Sequence, residues 1–546
     1  MFYVQVIWGE KLQEKAIDQW TRELPIIAKR GLILDRNGVV LADNSDTYTI
    51  FIRPRLIKDK ESVARILANE LSLNYDSVLQ KINKKVSEVT IAKHIEKPLL
   101  ERLLNENING LYYSRDNTRI YPYGDFLSQI LGFNSIDNVG QCGLESYYDK
   151  YLRGIDGEVL YETDIVGVEI EGSKPTYIPA TDGMNIKLTI DYRIQQIVES
   201  VAEECFLEKE PKNVSIMVLD VQNGEVLAIT TKPSYDLNNI PRDNIELLNK
   251  VNRSSLIVDI YEPGSTFKVL TASANVQERL NGNKNAFSID HVYSSARYRY
   301  IDGQRVRCWS DHKNGKHANE RLIDALDNSC NPIFVDIAMS LGKEKMYEYL
   351  SRFGYGQVTG IDFYGEASGM LIPKNYCQNV DLARIGFGQA LACTGLQLAC
   401  ATASAVNGGV YYTPHLVKEI SSSDGKIAEI INSSVKNRVI SQESSKIITT
   451  MLESVVSNGS GKNAYIEGYR IGGKTGTAQK YENGVLANGK YVSSFVGFFP
   501  ANNPKYLVLT VIDEPVGQYY GSIVAAPCAK KIFQGIIEYK NIKPNG

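Results

Sequence analysis

Tyr261-Glu262-Pro263-Gly264-Ser265-Thr266-Phe267-Lys268 is the stretch on which the reading of this chain turns. Pro263-Gly264 signals a turn, and the run Val269-Leu270-Thr271-Ala272 after Lys268 suits a helix, so Ser265 is predicted to open one. A residue three positions on lies on the same helical face about one turn later, which brings the Lys268 amine within reach of the Ser265 hydroxyl. Such a pair can activate an alcohol: a desolvated, neutral lysine accepts the hydroxyl proton, and the helix N-terminus favours the developing negative charge. Alone the pattern is weak, because Ser-x-x-Lys recurs at Ser310, Ser340, Ser423 and Ser433 in polar or glycine-broken contexts.

Two further motifs sharpen it. Ser329-Cys330-Asn331 sits between the helical stretches Leu322 to Leu326 and Ile333 to Met339 and offers a hydroxyl and an amide, suited to relaying a proton and holding a substrate amide. It is weak by itself, as Ser72-Leu73-Asn74 shows. Gly472-Gly473-Lys474-Thr475-Gly476-Thr477-Ala478 is strand-like and holds a Lys-Thr-Gly triplet, expected only about 0.1 times by chance. Ser-x-x-Lys, Ser-x-Asn and Lys-Thr-Gly in this order form a known signature of penicillin-binding proteins and related β-lactamases.

Around these motifs, 546 residues exceed a single ordinary core, so at least two domains are expected. With 60 Lys+Arg against 63 Asp+Glu the net charge is −3, which argues against a nucleic-acid partner. Eight cysteines are too sparse for a disulfide framework. No stretch supplies the roughly 20 consecutive apolar residues of a membrane helix. Phe2-Tyr3-Val4-Gln5-Val6-Ile7-Trp8, followed by the helix-prone Gly9 to Arg22, reads either as a juxtamembrane tail after an anchor or as a plain N-terminal helix. Asn37-Gly38 between Leu32-Ile33-Leu34 and Val39-Val40-Leu41 predicts a β-hairpin, and residues 58 to 109 read as helical. Turn residues at Pro179 to Gly183 mark a boundary, with strands expected at Ile186 to Ile190, Val214 to Leu219 and Glu225 to Thr230. The expected division is 1–24 juxtamembrane, 25–182 a front α+β module, and 183–540 the unit carrying the three motifs.

The chain resembles the class B, monofunctional penicillin-binding proteins, particularly those of division and sporulation. The likeness runs nearly end to end: Arg30-Gly31, Asp35-Arg36, Arg119, Tyr121-Pro122 and Gly143-Leu144-Glu145 are similar to the family's pedestal motifs, Asn252-Arg253 to the entry of its transpeptidase domain, and Gly388-Gln389 and Asn407-Gly408-Gly409 to that domain's later stretches. It implies a multidomain α+β fold, an elongated pedestal of the dimerisation type followed by a transpeptidase domain whose central antiparallel sheet is flanked by helices. The implied activity is a serine D,D-transpeptidase that cross-links peptidoglycan stem peptides and is acylated by β-lactams. Ser265 would be the nucleophile, Lys268 its base, Ser329 a proton relay and Asn331 a holder of the donor backbone. Lys474 would keep the site electropositive. Thr475 and Thr477, on an edge strand with Gly476, would bind the terminal carboxylate, and the N–H groups of Ser265 and Thr477 would form an oxyanion hole. The resemblance also implies an integral-membrane glycan polymerase as partner and a place on the outer face of the bacterial membrane behind a single N-terminal anchor. A D,D-carboxypeptidase or β-lactamase-like hydrolase, and a catalytically silent divisome scaffold, are the alternatives.

One cluster stands apart. Cys308, Asp311, His312, His317 and Cys330 offer the thiolate, imidazole and carboxylate donors that a structural zinc ion accepts beside the active site, while a Cys308–Cys330 disulfide, or neither, are the competing readings. Acyl transfer itself requires no cofactor. Cys393 and Cys400 read as small core residues on one helix, and Cys142, Cys205, Cys377 and Cys528 as scattered.

Overall fold

The computed structural model describes residues 21–162, 176–294, 296–309, 319–482 and 485–544. The motif-bearing part is built on a five-stranded antiparallel sheet of β1 (Asn213–Asp220), β2 (Val226–Lys232), β3 (Gly472–Glu482), β4 (Val485–Phe499) and β5 (Tyr506–Asp513), in the spatial order β2-β1-β5-β4-β3. The strands expected at Val214 to Leu219 and Glu225 to Thr230 are β1 and β2, and the Lys-Thr-Gly segment lies on an edge strand as expected.

Four helices matter for the site: α1 (Tyr192–Lys209), α2 (Lys268–Leu280), α3 (Asn331–Arg352) and α4 (Gly521–Lys540). α1 and α4 cover one face of the sheet through Ile194, Val198, Ala202, Ala529 and Phe533. α2 packs on the other face and is buried at every position from Lys268 to Glu278, the state of a helix enclosed on all sides. Its polar residues are satisfied internally: Thr271 Oγ1 donates to the Gly386 carbonyl at 2.8 Å, and Asn275 exchanges bonds of 3.0 and 2.9 Å with the backbone of Phe287.

In the front module the predicted hairpin is present as Ile33–Leu34 against Val40–Ile52, turned by Gly38 at φ 91 and by Asp35 Oδ1, which accepts from the N–H groups of Asn37 and Val39 at 2.8 Å each. Leu111–Ile120 and Val89–Ile95 pair with the long strand, and helices Lys60–Glu70, Tyr75–Ile82 and Lys97–Asn105 pack beside them. The stretch expected to be wholly helical therefore contains a strand, because Val89, Ile91 and Ile95 enter the same small core as Ile50 and Ile52. Behind the hairpin, Glu145 is fully buried between two arginines: Arg30 Nε donates to Oε2, and Arg119 Nε to Oε1 at 2.7 Å. This explains in physical terms why Arg30, Arg119 and Glu145 occur together.

Strand Asn185–Leu188 pairs in parallel with Ile33–Leu34 and antiparallel with Val417–Ser421, so both parts of the chain build one seven-stranded sheet across the turn at Pro179 to Gly183. Arg36 Nη2 meets Glu225 Oε2 at 2.8 Å and the Tyr148 hydroxyl donates to Asp362 Oδ2 at 2.8 Å, joining the parts further. Thr21–Ile26, at the end of the stretch expected to be juxtamembrane and helix-prone, is instead a strand paired with Gly157–Glu162; residues 1–20 lie outside the described residues. No helix among the described residues is long and apolar enough to cross a membrane. Cys393 is not on a helix with Cys400: it bridges to Tyr261 by backbone bonds of 3.0 Å in both directions, and the helix begins at Gly395 after the Thr394 cap.

Candidate active site

The turn at Pro263-Gly264 passes into a 3₁₀ turn, Gly264–Phe267, which continues as α2. In a 3₁₀ turn residues three apart eclipse one another, which sets Lys268 beneath Ser265. Lys268 Nζ lies 3.0 Å from Ser265 Oγ, 2.7 Å from the Ser329 carbonyl, 3.0 Å from Ser329 Oγ and 2.7 Å from Asn331 Oδ1. Two of these four partners, the carbonyl and the amide oxygen, can only accept. The Asn331 orientation is supported by its Nδ2, which donates to the Arg307 carbonyl at 3.3 Å. A neutral amine thus spends both N–H bonds on the obligate acceptors and keeps its lone pair for a hydroxyl.

Burial pushes the Lys268 amine down to about 8, opposed by the nearby Cys308 and Cys330 thiols. The second motif reaches the amine from a constrained backbone: Ser329 has φ 55, the left-handed region, and Asn331 opens α3. The edge strand supplies the third. Lys474 is fully buried and its Nζ donates to the Thr475 carbonyl at 3.3 Å. Desolvation drives this amine well below the ordinary lysine range, the charge of Lys268 pushes the same way, and Asp327 opposes both. A charge on Lys268 thus disfavours a charge on Lys474.

Gly476 shows why the triplet ends in glycine. A Cβ there would fall 2.5 Å from Ser494 Oγ and 3.0 Å from the Pro263 carbonyl, so only glycine lets the strand lie against the turn that carries Ser265. Thr475 Oγ1 lies 3.3 Å from Ser460 Oγ, and Thr477 Oγ1 accepts from the N–H of Gly521 at 3.0 Å, at the start of α4. All eight residues proposed from sequence for the catalytic and carboxylate sites thus fall on the two segments that meet at the Lys268 amine or on the edge strand beside them.

Sequence reading missed Ser460, Asp327 and Trp309. Ser460 N–H donates to the Asp327 carbonyl at 2.9 Å, which holds its hydroxyl toward Thr475; the glycines flanking it signalled a turn and nothing more. Trp309, about half exposed, donates from Nε1 to the Asn328 carbonyl at 3.1 Å and lies with its ring centre 6.2 Å from that of Tyr520. The 560 Å³ cavity lined by Tyr261, Lys480 and Val492 lies beside the edge strand and includes neither Ser265 nor Lys268; the convergence of side chains, not cavity size, locates the site.

Of the five donors proposed for zinc, Asp311, His312 and His317 lie outside the described residues. Cys308 and Cys330 are both buried near Lys268 and are not joined in a disulfide. Among the described residues no three His, Cys, Asp or Glu side chains group as a metal site.

Comparison with known proteins identifies the family of both parts of the chain. The family described as the penicillin binding protein transpeptidase domain matches residues 214–534, and the penicillin-binding protein dimerisation domain matches residues 25–188. The chain is 38% identical across 99% of its length to the stage V sporulation protein D of Bacillus subtilis (strain 168), covering 83% of that protein. It is 28% identical to the peptidoglycan D,D-transpeptidase FtsI of Escherichia coli (strain K12), covering 100% of this chain and 89% of that one. The crystal structure of a peptidoglycan synthetase from Bifidobacterium adolescentis superposes with a TM-score of 0.77 at 26% identity, covering 96% of this chain and 98% of that one.

Proposed function

The chain belongs to the class B penicillin-binding proteins of the division and sporulation type, and from that premise we propose that it cross-links peptidoglycan through an acyl-enzyme on Ser265. Ser265 Oγ attacks the carbonyl carbon of the penultimate D-Ala of a donor stem peptide while Lys268 Nζ takes the hydroxyl proton. The resulting oxyanion is held by the backbone N–H groups of Ser265 and Thr477. As the tetrahedral intermediate collapses, the C–N bond breaks, the proton passes by way of Ser329 Oγ to the amine, and D-Ala leaves. An amine of a neighbouring stem peptide then attacks the ester carbonyl, Lys268 takes a proton from it, and as the ester C–O bond breaks that proton passes to Ser265 Oγ, which is released as the hydroxyl with a new amide bond formed.

The terminal carboxylate binds at Thr475, Thr477 and the edge strand around Gly476, while Asn331 holds the donor backbone. That anion stabilises a charged Lys474, and a charged Lys474 favours a neutral Lys268. Substrate binding in this reading selects the protonation state that the base needs. The observation that carries the proposal is the position of the Lys268 amine, 3.0 Å from Ser265 Oγ with its N–H groups committed to Ser329 and Asn331.

The test is intact mass after incubation with benzylpenicillin, followed by peptide mapping. A stable single adduct on the peptide containing Ser265 supports the reading. An adduct on another residue, or none, overturns it, and turnover of the penicillin within seconds identifies a hydrolase instead.

Because stem peptides lie outside the cytoplasm, the site is assigned to the outer face of the cell membrane, with a membrane-embedded glycan polymerase supplying the strands. The same proposal includes a structural zinc ion held by Cys308 and Cys330 with donors from Asp311, His312 and His317; two buried thiols beside the site fit the soft donor set of that metal. Less than about 0.2 equivalents of zinc after purification without chelator removes this element.

A further inference from the structure

α1 and α4 run antiparallel across the sheet face opposite α2, and ionic contacts fix their register. Lys540 Nζ lies 2.8 Å from Asp191 Oδ2, the cap at the start of α1, and Lys531 Nζ lies 2.5 Å from Glu204 Oε1 near its end. One residue past Glu204 and about one turn before Lys531 sit Cys205 and Cys528, both buried in the apolar cluster between the helices and the sheet. Their thiols share a side-chain hydrogen bond, which places the sulfurs in contact. Cys528 Sγ also reaches the Val524 carbonyl at 3.3 Å.

We propose that Cys205 and Cys528 are a disulfide-forming pair, oxidised by a thiol–disulfide oxidant of the extracytoplasmic space and joining α1 to α4. The Cys205 thiolate attacks one sulfur of the oxidant's disulfide, that S–S bond breaks, and one thiol leaves with a proton. Cys528, deprotonated, attacks the Cys205 sulfur of the mixed disulfide, and the second thiol departs. The protein dithiol loses two electrons and two protons, and the oxidant disulfide becomes two thiols.

Within the pair the two thiols are not equivalent. The hydrogen bond with Cys528 holds the Cys205 thiol below its ordinary value, while the same bond and burial push the Cys528 thiol well up, as burial does Cys393 and Cys400, so Cys205 is the thiol that attacks first. The neighbouring Glu204 and Lys531 side chains are about half exposed, so the pair lies just beneath the surface. The bond closes a loop that contains Ser265, Ser329 and Lys474, a length for which a cross-link removes much unfolded-state freedom. α4 meets the edge strand through the Gly521 N–H, so the cross-link secures the back of the site and leaves its chemistry alone.

The full chain is treated with oxidised glutathione, blocked with an alkylating reagent, and digested without reduction. The expected result is a linked peptide pair containing Cys205 and Cys528, and a melting temperature about 5 °C or more above that of the reduced protein. Cys205→Ser and Cys528→Ser each abolish that gain while acylation by penicillin stays within about twofold. Recovery of both cysteines as alkylated thiols after oxidation, linkage between other cysteines, or linkage without a gain in melting temperature overturns the proposal. The peptide map of the wild-type chain decides it even where a serine variant fails to fold.

Discussion

The side-chain oxygen of Asn331 accepts a hydrogen bond from Lys268 Nζ at 2.7 Å. An amide there leaves the amine free to be neutral, whereas a carboxylate of the same shape would hold it charged. Asn331→Asp is therefore expected to raise the Lys268 pKa by about 1 to 3 units and to move the rising limb of the acylation profile to higher pH by the same amount. Penicillin acylation rates measured against pH check this; an unmoved limb would falsify the assignment of that limb to Lys268.

In the unmodified protein the sign of the pH dependence follows from burial. Lys268 is depressed to about 8, so its neutral, proton-accepting form grows as pH rises through that value. Acylation is expected to increase up to roughly pH 9 and then level off. A rate that falls across pH 7 to 9, roughly the window set by that pKa, would exclude a neutral lysine base.

Lys474 is expected to act through the substrate carboxylate. Lys474→Met, similar in length and without charge, should slow acylation by penicillin about 10²-fold or more, while a penicillin methyl ester, lacking the anion, should lose far less. Equal losses for acid and ester would show that Lys474 has no dealings with the carboxylate.

Gly476→Ala places a methyl group 2.5 Å from Ser494 Oγ and 3.0 Å from the Pro263 carbonyl. The expected cost is about 1–3 kcal/mol with a matching loss of acylation rate, and Ser494→Gly in the same chain should recover only part of it because the backbone carbonyl remains. Thermal unfolding with and without the second substitution tests this.

In the pedestal, Glu145→Ala leaves the Arg30 and Arg119 guanidinium groups buried without the carboxylate between them. A loss of about 3–5 kcal/mol is expected, with the melting transition falling accordingly. A change below about 0.5 kcal/mol would show that water or Asp149 replaces the lost anion.

What could be read along the chain was what is local. Ser265 and Lys268 are three residues apart, and backbone geometry alone sets one under the other. The hairpin at Asn37-Gly38 and the edge strand at Lys474 were legible from turn chemistry and strand composition. The strand Val89–Ile95 was not, since lysine- and glutamate-rich helices surround it in sequence and its apolar residues show their purpose only against Ile50 and Ile52. Cys393 reads as helical with Cys400 from its small, apolar neighbours, yet Thr394 and Gln397 form a capping box, with bonds of 3.0 and 2.9 Å, that starts the helix after it.

The order and spacing of the three motifs, and with them the family, are properties of the chain itself, because each motif is short enough for covalent geometry to shape. The charge on each lysine is not. Lys268 and Lys474 acquire their depressed affinities for protons only when packing strips water from both and sets them within reach of each other's field, and the pairing of Cys205 with Cys528 likewise exists only once two distant helices lie antiparallel on the sheet. Desolvation and long-range contact have no signature in a linear sequence; folding creates them.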